Sequence, residues 1–240
     1  MRLSTRIRSS AMRLLASDFV LQRRRAKGRK QREAQGLEPV VYYFHQVDDP
    51  YSFIMAQQLT RFANIASVPI KPFLVSDPTA PFKGDATRFD AWAIADAANI
   101  APFLGEALPI ASGDESSTQP NNTQREAGEA ALSPLLEADL SIFTTEAQRI
   151  GLALWHHHSL PKPSHQERAH AETCVAAGDR LRASLGHFQG GTLYFDGEVV
   201  YSGLWENDKR KEPKKSIKRE NEEVVDAKSP KSGKKKRRKN

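Results

Sequence analysis

The chain has 240 residues, 39% of them hydrophobic, and a single cysteine, Cys174. Because an intramolecular disulfide needs two cysteines, this composition excludes dithiol–disulfide chemistry within the chain. No apolar run approaches the roughly 20 residues that span a bilayer, so the sequence predicts a soluble, cytoplasmic protein without a transmembrane segment.

Positive charge is concentrated at the two ends of the chain. Residues 1–36 contain eleven Lys or Arg and two acids, and residues 206–240 contain fifteen and seven. The intervening residues 37–205 hold ten basic and twenty acidic residues. The formal net charge of +7 is therefore a property of the ends, and the part predicted to fold is acidic.

Residues 1–36 are predicted to form a basic N-terminal helical arm, because apolar residues recur among its arginines at spacings that suit a short amphipathic helix. Two placements fit this pattern: the arm lies on the protein's own acidic core, or it rests on a membrane surface. The apolar residues concerned are Met12, Leu14, Leu15, Phe19, Val20 and Leu21.

A strand, a helix and a second strand are predicted within residues 37–87. Val40 to Phe44 is a β-branched and aromatic run, and Ile70 to Val75 is a second one. Between them, Pro50 to Ala66 shows apolar residues at helical spacing. Since a helix joins the strands, we expect them to be parallel and connected with the usual right-handed crossover.

Strand patterns disappear between residues 88 and 186, and this region is predicted to be an all-helical insertion. Ala, Leu, Glu and Arg recur with helical spacing in three segments, whereas residues 111–124 have the composition of a flexible loop. The three helical segments are 88–105, 127–155 and 164–185.

Residues 187–206 contain a predicted β-hairpin. Thr192 to Phe195 and Glu198 to Tyr201 flank Asp196-Gly197, a dipeptide typical of tight hairpin turns. Residues 207–240 are predicted to be a disordered basic tail, because they offer almost no apolar surface to bury.

The order βαβ, helical insertion, β-hairpin resembles the DsbA-like branch of the thioredoxin fold. That branch includes the DsbA oxidoreductases, the kappa-class glutathione transferases and the 2-hydroxychromene-2-carboxylate isomerases. Two stretches carry the resemblance: VYYFHQVDDPYSF (41–53) is similar to the first strand and active-site turn, and GGTLYFDGEVVYSG (190–203) to the later strand and hairpin. Over residues 38–206 the resemblance implies an α/β, thioredoxin-like fold, here with the helical insertion between its halves.

The resemblance also locates a site, at the turn before the helix that begins at Pro50. Asp49 and Ser52 fall where disulfide oxidoreductases have the two cysteines of Cys-Pro-x-Cys, and Asp49 where the isomerases have the serine of Ser-Pro-Tyr. Gly191 takes the place of a cis-proline whose loop presents backbone groups to a peptide or to glutathione. The catalytic candidates are Asp49, Ser52 and His45, and the substrate-binding candidates are Tyr51, Pro50, Gly190, Gly191 and Thr192.

Asp49 followed by Pro50 is also a favourable N-cap and first-turn pair. We expect the capping carboxylate to be ionised, because N–H donors and the helix dipole favour its charge. It would then repel a substrate thiolate, which disfavours a glutathione mechanism like that of the kappa transferases. Glutathione is nevertheless the one cofactor that the resemblance suggests, and Ser52 could donate a hydrogen bond to a bound sulfur or oxyanion.

His45 lies at the end of the first strand, four residues before Asp49. One interpretation is an acid/base cluster of His45, Asp48 and Asp49 at the carboxyl edge of the sheet, where ligands bind in open α/β folds. The alternative is a strand-end histidine bonded to backbone or carboxylate. Tyr51, just after the helix-start proline, is expected to face the site.

Five histidines lie close together in sequence but do not predict a metal site. Neighbouring residues on a helix point in different directions, so three consecutive histidines do not form a ligand set. Cys174 is expected to be an ordinary buried residue of a helix. The histidines are His156, His157, His158, His165 and His170.

Two functional classes follow from the sequence. In the first, the chain is a diverged enzyme of this superfamily that lacks dithiol chemistry and binds a small glutathione-linked or aromatic substrate. In the second, it is a non-catalytic module that binds a peptide or partner. In both, the basic ends, above all Lys234 to Lys239, are candidates for contacting nucleic acid or another polyanion.

Overall fold

The computed structural model describes residues 18–65, 68–78, 85–104 and 119–201. The helices are α1 (Asp18–Ala34), α2 (Pro50–Ile65), α3 (Ala86–Leu104), α4 (Asn122–Leu132), α5 (Leu140–Trp155) and α6 (His165–Ser184), with a 3-10 turn at Ser133–Leu135. The strands are β1 (Val41–His45), β2 (Ile70–Leu74), β3 (Thr192–Phe195) and β4 (Glu198–Tyr201).

The four strands form one mixed sheet in the order β2-β1-β3-β4. Strands β1 and β2 are parallel, as the helical connection predicted, with Val41 opposite Ile70 and His45 opposite Leu74. Strand β3 runs antiparallel to β1, and β4 antiparallel to β3. This small mixed sheet within a helix-rich chain is compatible with a thioredoxin-like fold.

The hairpin of β3 and β4 has the predicted bounds. Its turn residues Asp196 and Gly197 have φ values of 43° and 90°. Positive φ at both central residues is the geometry that matches the twist of hairpin strands, and Asp-Gly adopts it readily.

One predicted boundary in the helical region is wrong, and one predicted helical segment is divided in two. The segment 127–155 is not one helix, because α4 ends in the 3-10 turn around Pro134 and α5 begins afresh after Asp139. Asp139 accepts a hydrogen bond from the Ser141 N–H (2.8 Å) and so caps the new helix. Residues 122–124 belong to α4 and not to a loop, since Asn121 and Gln124 form a capping box.

The main core lies between the sheet and the helices α2 and α5. Tyr43, Leu59, Leu74, Phe143 and Leu154 are fully buried there. Of the predicted apolar residues of α2, Leu59 and Phe62 join this core. Phe53 and Ile54 pack instead against residues of α3, and Ile65 is half exposed. Within the described residues, no helix combines the length and apolar character needed to cross a membrane.

Helix α1 contacts the β3–β4 turn. The Arg32 guanidinium donates two hydrogen bonds to the Asp196 carboxylate, at 2.9 and 3.1 Å, and Arg25 pairs with Glu198. The helix backbone comes close at Gly28, where an added Cβ would lie 2.4 Å from the Asp196 carbonyl carbon. Residues 1–17 of the predicted arm and the predicted tail 207–240 lie outside the described residues.

Candidate functional site

A cavity of about 290 Å³ lies where α2 begins. Five segments line it: the turn that leads into α2, the loop after β2, one face of α3, the residues before α4, and the loop before β3. Its lining consists of Gln46, Asp49, Pro50, Tyr51, Asp77, Pro78, Phe89, Asp90, Trp92, Ala93, Asp96, Ile100, Gln119, Gln189, Gly190 and Gly191. The volume is at the lower end of those seen for small-molecule sites.

Asp49 caps α2 from the cavity wall. Its Oδ2 accepts a hydrogen bond from the Ser52 N–H (2.7 Å), and Pro50 is the first residue of the helix. Burial raises the pKa of the Asp49 carboxyl to about 6, against the opposing effect of the hydrogen bonds from Ser52. The carboxyl is therefore mostly ionised at neutral pH, although desolvation outweighs the cap and makes its charged form less favourable than that of an exposed aspartate.

Ser52 and Thr192 lie behind the cavity wall. Both are fully buried, and neither belongs to the lining. The Ser52 Oγ accepts a hydrogen bond from the Gln46 N–H (3.0 Å), and the Thr192 Oγ1 donates to the Gln189 carbonyl (3.2 Å). Both hydroxyls therefore hold the loops that form the wall.

His45 is buried beside Tyr43, away from the lining. The Tyr43 hydroxyl lies 2.8 Å from the His45 Nδ1 and donates its proton to the Ser52 carbonyl at 3.0 Å. Because that hydroxyl has one proton, the His45 Nδ1–H must be the donor to Tyr43. Burial lowers the pKa of His45 to about 3, so the imidazole is neutral. Its hydrogen-bond partner is a tyrosine, not the backbone or carboxylate that the sequence suggested.

Tyr51 lines the cavity and bonds to the insertion. Its hydroxyl donates to the Asp96 Oδ2 on α3, at 2.6 Å. Burial, followed by this hydrogen bond to a carboxylate, raises the pKa of Tyr51 well above its ordinary value. The hydroxyl therefore stays protonated and ties the start of α2 to α3.

Gly190 and Gly191 form the wall opposite α3. Gly191 has φ of +61°, and an added Cβ would lie 2.9 Å from the Ser52 nitrogen. A side chain at Gly190 would meet Gln46, at 2.6 Å from its Cβ. The two glycines let the loop approach the first turn of α2 closely, which narrows the cavity on that side.

The α3 face of the cavity was not identified from the sequence. Phe89, Ala93, Asp96 and Ile100 recur at spacings of four, three and four, which is the signature of one helix face. Beside this stripe, Trp92 is 57% exposed and its ring lies 6.2 Å from that of Phe89. The spacing of these residues predicts that they share one face of α3. It does not predict that this face lies toward Asp49.

Cys174 lies on α6 and outside the cavity lining. It is only partly buried, contrary to expectation, and its Sγ lies 3.7 Å from the His170 Nε2. Burial raises the pKa of the thiol, so it is not an activated nucleophile. Among the described residues, no three His, Cys, Asp or Glu side chains are placed to hold a metal ion.

No protein-family model and no curated protein matches the chain. A search of solved structures finds a selenomethionine form of 2-hydroxychromene-2-carboxylate isomerase, 13% identical to this chain. The match covers 71% of this chain and 93% of the isomerase chain, with a TM-score of 0.44.

Proposed function

We propose that this chain is a thioredoxin-like protein without dithiol redox chemistry that binds a small aromatic ligand in the cavity at the start of α2. The observation that carries the proposal is the cavity itself, with Tyr51, Phe89 and Trp92 in its lining. It lies at the carboxyl ends of the parallel strands β1 and β2, the edge at which open α/β sheets bind ligands.

The side chains around the cavity support binding and not redox chemistry. Asp49 and Ser52 stand at the positions that the resemblance assigns to the two cysteines, and the single cysteine lies on α6. Ser52 is buried with its Oγ engaged by a backbone N–H, so it is not presented as a nucleophile.

A glutathione-linked ligand fits this lining less well than a simpler aromatic one. Glutathione carries two carboxylates and one ammonium group, and four aspartates line the cavity. The N-terminus of α2, which would otherwise attract an anion, is capped by Asp49. We therefore retain the aromatic ligand of the sequence hypothesis and set the glutathione moiety aside.

Proton transfer by Asp49 is a second candidate function for the same cavity. Asp49 belongs to the lining, and its pKa of about 6 is close to the value that suits a general acid or base near neutral pH. Replacement of Asp49 by Asn would then abolish turnover of a bound ligand, whereas Ser52→Ala would leave most of the rate.

To test the proposal, a substitution places a larger apolar side chain in the cavity without changing the charge of the lining. Ala93 on α3 is buried in the lining, and Ala95 on the same helix is exposed and outside it. We expect a neutral aromatic probe, 2-phenylethanol, to bind the wild type with a dissociation constant of about 1 mM, in line with its size. Ala93→Leu should abolish this binding, and Ala95→Leu should preserve it.

Saturation-transfer NMR and calorimetry on the full chain measure both variants, with circular dichroism as the check on folding. Equal binding by the wild type and a folded Ala93→Leu variant would place the ligand elsewhere and contradict the proposal. Absence of binding to the wild type would contradict it as well.

A further inference from the structure

We infer that the ligand of this cavity carries an O–H or N–H donor beside its aromatic ring, and that the side-chain oxygen of Gln46 selects it by accepting that hydrogen bond. The inference rests on the proposed function and adds to it the polar group that the ligand presents. It is drawn from the hydrogen bonds that Gln46 makes with the described residues around it.

The backbone and the side-chain nitrogen of Gln46 are engaged within the cavity wall. Its N–H donates to the Ser52 Oγ (3.0 Å), and its carbonyl accepts the Asp49 N–H (3.2 Å). The side-chain Nε2 donates to the Asp48 Oδ1 at 2.9 Å and lies 3.5 Å from the Asp77 Oδ1. Because the residue is also only 4% exposed, its side chain is held in one position.

The orientation of the Gln46 amide follows from these partners. A carboxylate accepts hydrogen bonds and does not donate them, so the amide nitrogen must face Asp48 and the Oε1 must lie on the other side. The flipped amide would set its Oε1 against the Asp48 carboxylate. Among the described residues, no group donates a hydrogen bond to this Oε1.

The Gln46 Oε1 is open to the cavity. Gln46 belongs to the lining, and its Oε1 is not among the polar atoms that are enclosed without a partner in the described part of the chain. The small exposed part of the residue therefore includes this oxygen. Gly190 leaves it uncovered on one side, since an added Cβ there would lie 3.2 Å from the Oε1.

A buried acceptor that is fixed in place discriminates between ligands. A ligand that displaces water from this oxygen must replace the hydrogen bond, or its affinity falls. Gln119 and Gln189 also line the cavity, but both are only partly buried. Ordering either of them would cost a ligand more side-chain entropy than pairing with Gln46, which its own contacts already order.

A matched pair of probes separates the donor from the aromatic ring. 1-Phenylethanol and acetophenone have the same carbon and oxygen skeleton, but the alcohol has an O–H to donate, whereas the ketone oxygen only accepts. We expect calorimetry on the full chain to show the alcohol bound about tenfold more tightly than the ketone.

Replacement of Gln46 by Met tests the acceptor. The variant keeps the length of the side chain and removes the amide oxygen, so it should bind the two probes with affinities that agree within about twofold. Gln148→Met on α5 makes the same chemical change outside the lining, at an amide that donates to the Ala56 carbonyl (3.1 Å). This control should keep the preference for the alcohol, and circular dichroism checks the folding of both variants.

Carbon-13 NMR of the wild type gives a measurement that does not depend on the folding of a variant. Accepting a hydrogen bond deshields a carbonyl carbon, so saturation with the alcohol should move the Gln46 Cδ resonance, and saturation with the ketone should move it less. The Cδ resonances of Gln119 and Gln189 provide the internal comparison and should shift less than that of Gln46.

The outcomes separate the two proposals. Equal binding of the alcohol and the ketone by the wild type overturns the inference and leaves the aromatic cavity standing. A preference that survives in a folded Gln46→Met variant also overturns it, as does a Cδ shift that is largest at Gln119 or Gln189, because the donor would then be accepted elsewhere. Binding of neither probe overturns the proposed function and the inference together.

Discussion

Asp49 combines two roles that act in opposite directions on its pKa. As the N-cap of α2 it accepts the Ser52 N–H, which favours the carboxylate, whereas burial beside Asp48 disfavours it. Burial is the larger effect, and the pKa of the folded state, about 6, lies above the value of 3.8 for an unperturbed aspartate. The ionised form is therefore a source of instability that the folded protein retains at neutral pH.

Replacement of Asp49 by Asn should stabilise the protein above pH 6. Between pH 4 and 6 the folded state binds the proton that the unfolded state has lost, so the stability of the wild type falls as the pH rises through this window. Asn is an equally good cap and has no charge to desolvate. We expect the variant to gain roughly 1–3 kcal/mol at pH 7.5 and little at pH 4, measured by urea unfolding. A gain that does not depend on pH would contradict this explanation.

The loop before β3 depends on Gly191 for both conformation and space. With φ of +61° and the Ser52 nitrogen 2.9 Å from an added Cβ, an alanine there is strained and also clashes with backbone. Gly191→Ala should lower the free energy of unfolding by roughly 2–4 kcal/mol.

Gly186 supplies the matched control for this substitution. Its φ is +81°, but no atom lies within 4 Å of an added Cβ. Gly186→Ala should therefore cost only the strain of the left-handed backbone, about 1 kcal/mol. Similar losses in the two variants would show that close packing against α2 does not matter at Gly191.

Some of the residues that line the cavity could be predicted from the sequence. Asp49, Tyr51 and Gly191 were selected because they occupy motif positions, and all three line the cavity. Asp96 and Trp92 were not selected, because their place in the lining depends on how α3 packs against the start of α2. A helical pattern predicts which residues share a face but not what that face meets.

At the scale of elements, α1 is held to the β3–β4 turn by complementary charge and a small residue. Arg25 and Arg32 pair with Glu198 and Asp196, and the backbone of Gly28 lies against Asp196. The sequence suggested a helix resting on the acidic core, but the partner could not be named, since the hairpin lies more than 160 residues further along the chain.

Gly28→Ala should destabilise α1, which is the opposite of the usual effect of replacing a helical glycine by alanine. Alanine in place of glycine normally stabilises a helix by about 1 kcal/mol. Here the new methyl group would lie 2.4 Å from the Asp196 carbonyl carbon, so α1 must move off the turn. Hydrogen exchange should show faster exchange of the α1 amides, together with a lower Tm.

Gln31→Ala is the control for that experiment, because residue 31 is exposed on the same helix. It should leave the exchange of α1 unchanged or slower. If Gly28→Ala also slowed exchange, the close contact between α1 and the turn would be refuted.

The bounds of most helices and strands follow from local sequence signals, and each exception has a physical reason. The hairpin could be placed from Asp196-Gly197 alone, because positive φ at both positions is a strong local requirement. The break between α4 and α5 was missed although Pro134 and Asp139 mark it. Helical spacing of apolar residues continues across the break, so periodicity alone does not reveal it, whereas the stop and start signals do.

At the scale of the whole molecule, charge separates the ends of the chain from its middle. Residues 1–36 and 206–240 carry excess positive charge, and residues 37–205 carry excess negative charge. We expect the basic ends of the chain to bind polyanions, because their charge attracts phosphates at low salt.

Removal of residues 213–240 should abolish salt-sensitive retention of the protein on RNA or DNA. The segment contains Lys234 to Lys239, six consecutive basic residues whose binding to phosphates releases counterions. Full-length and truncated chains would be compared on immobilised RNA at low and at high salt. Unchanged retention after truncation would show that the basic tail is not the polyanion-binding segment.

The central claim is that the cavity between α2, α3 and the loop before β3 is the ligand site. The most direct measurement is a titration of the ¹⁵N-labelled chain with 2-phenylethanol, followed by amide and indole chemical shifts. We predict saturable shifts that are largest at Tyr51, Ala93, Gly190, Gly191 and the Trp92 indole. Saturable shifts confined to other parts of the chain, or no shifts at all, would contradict the claim.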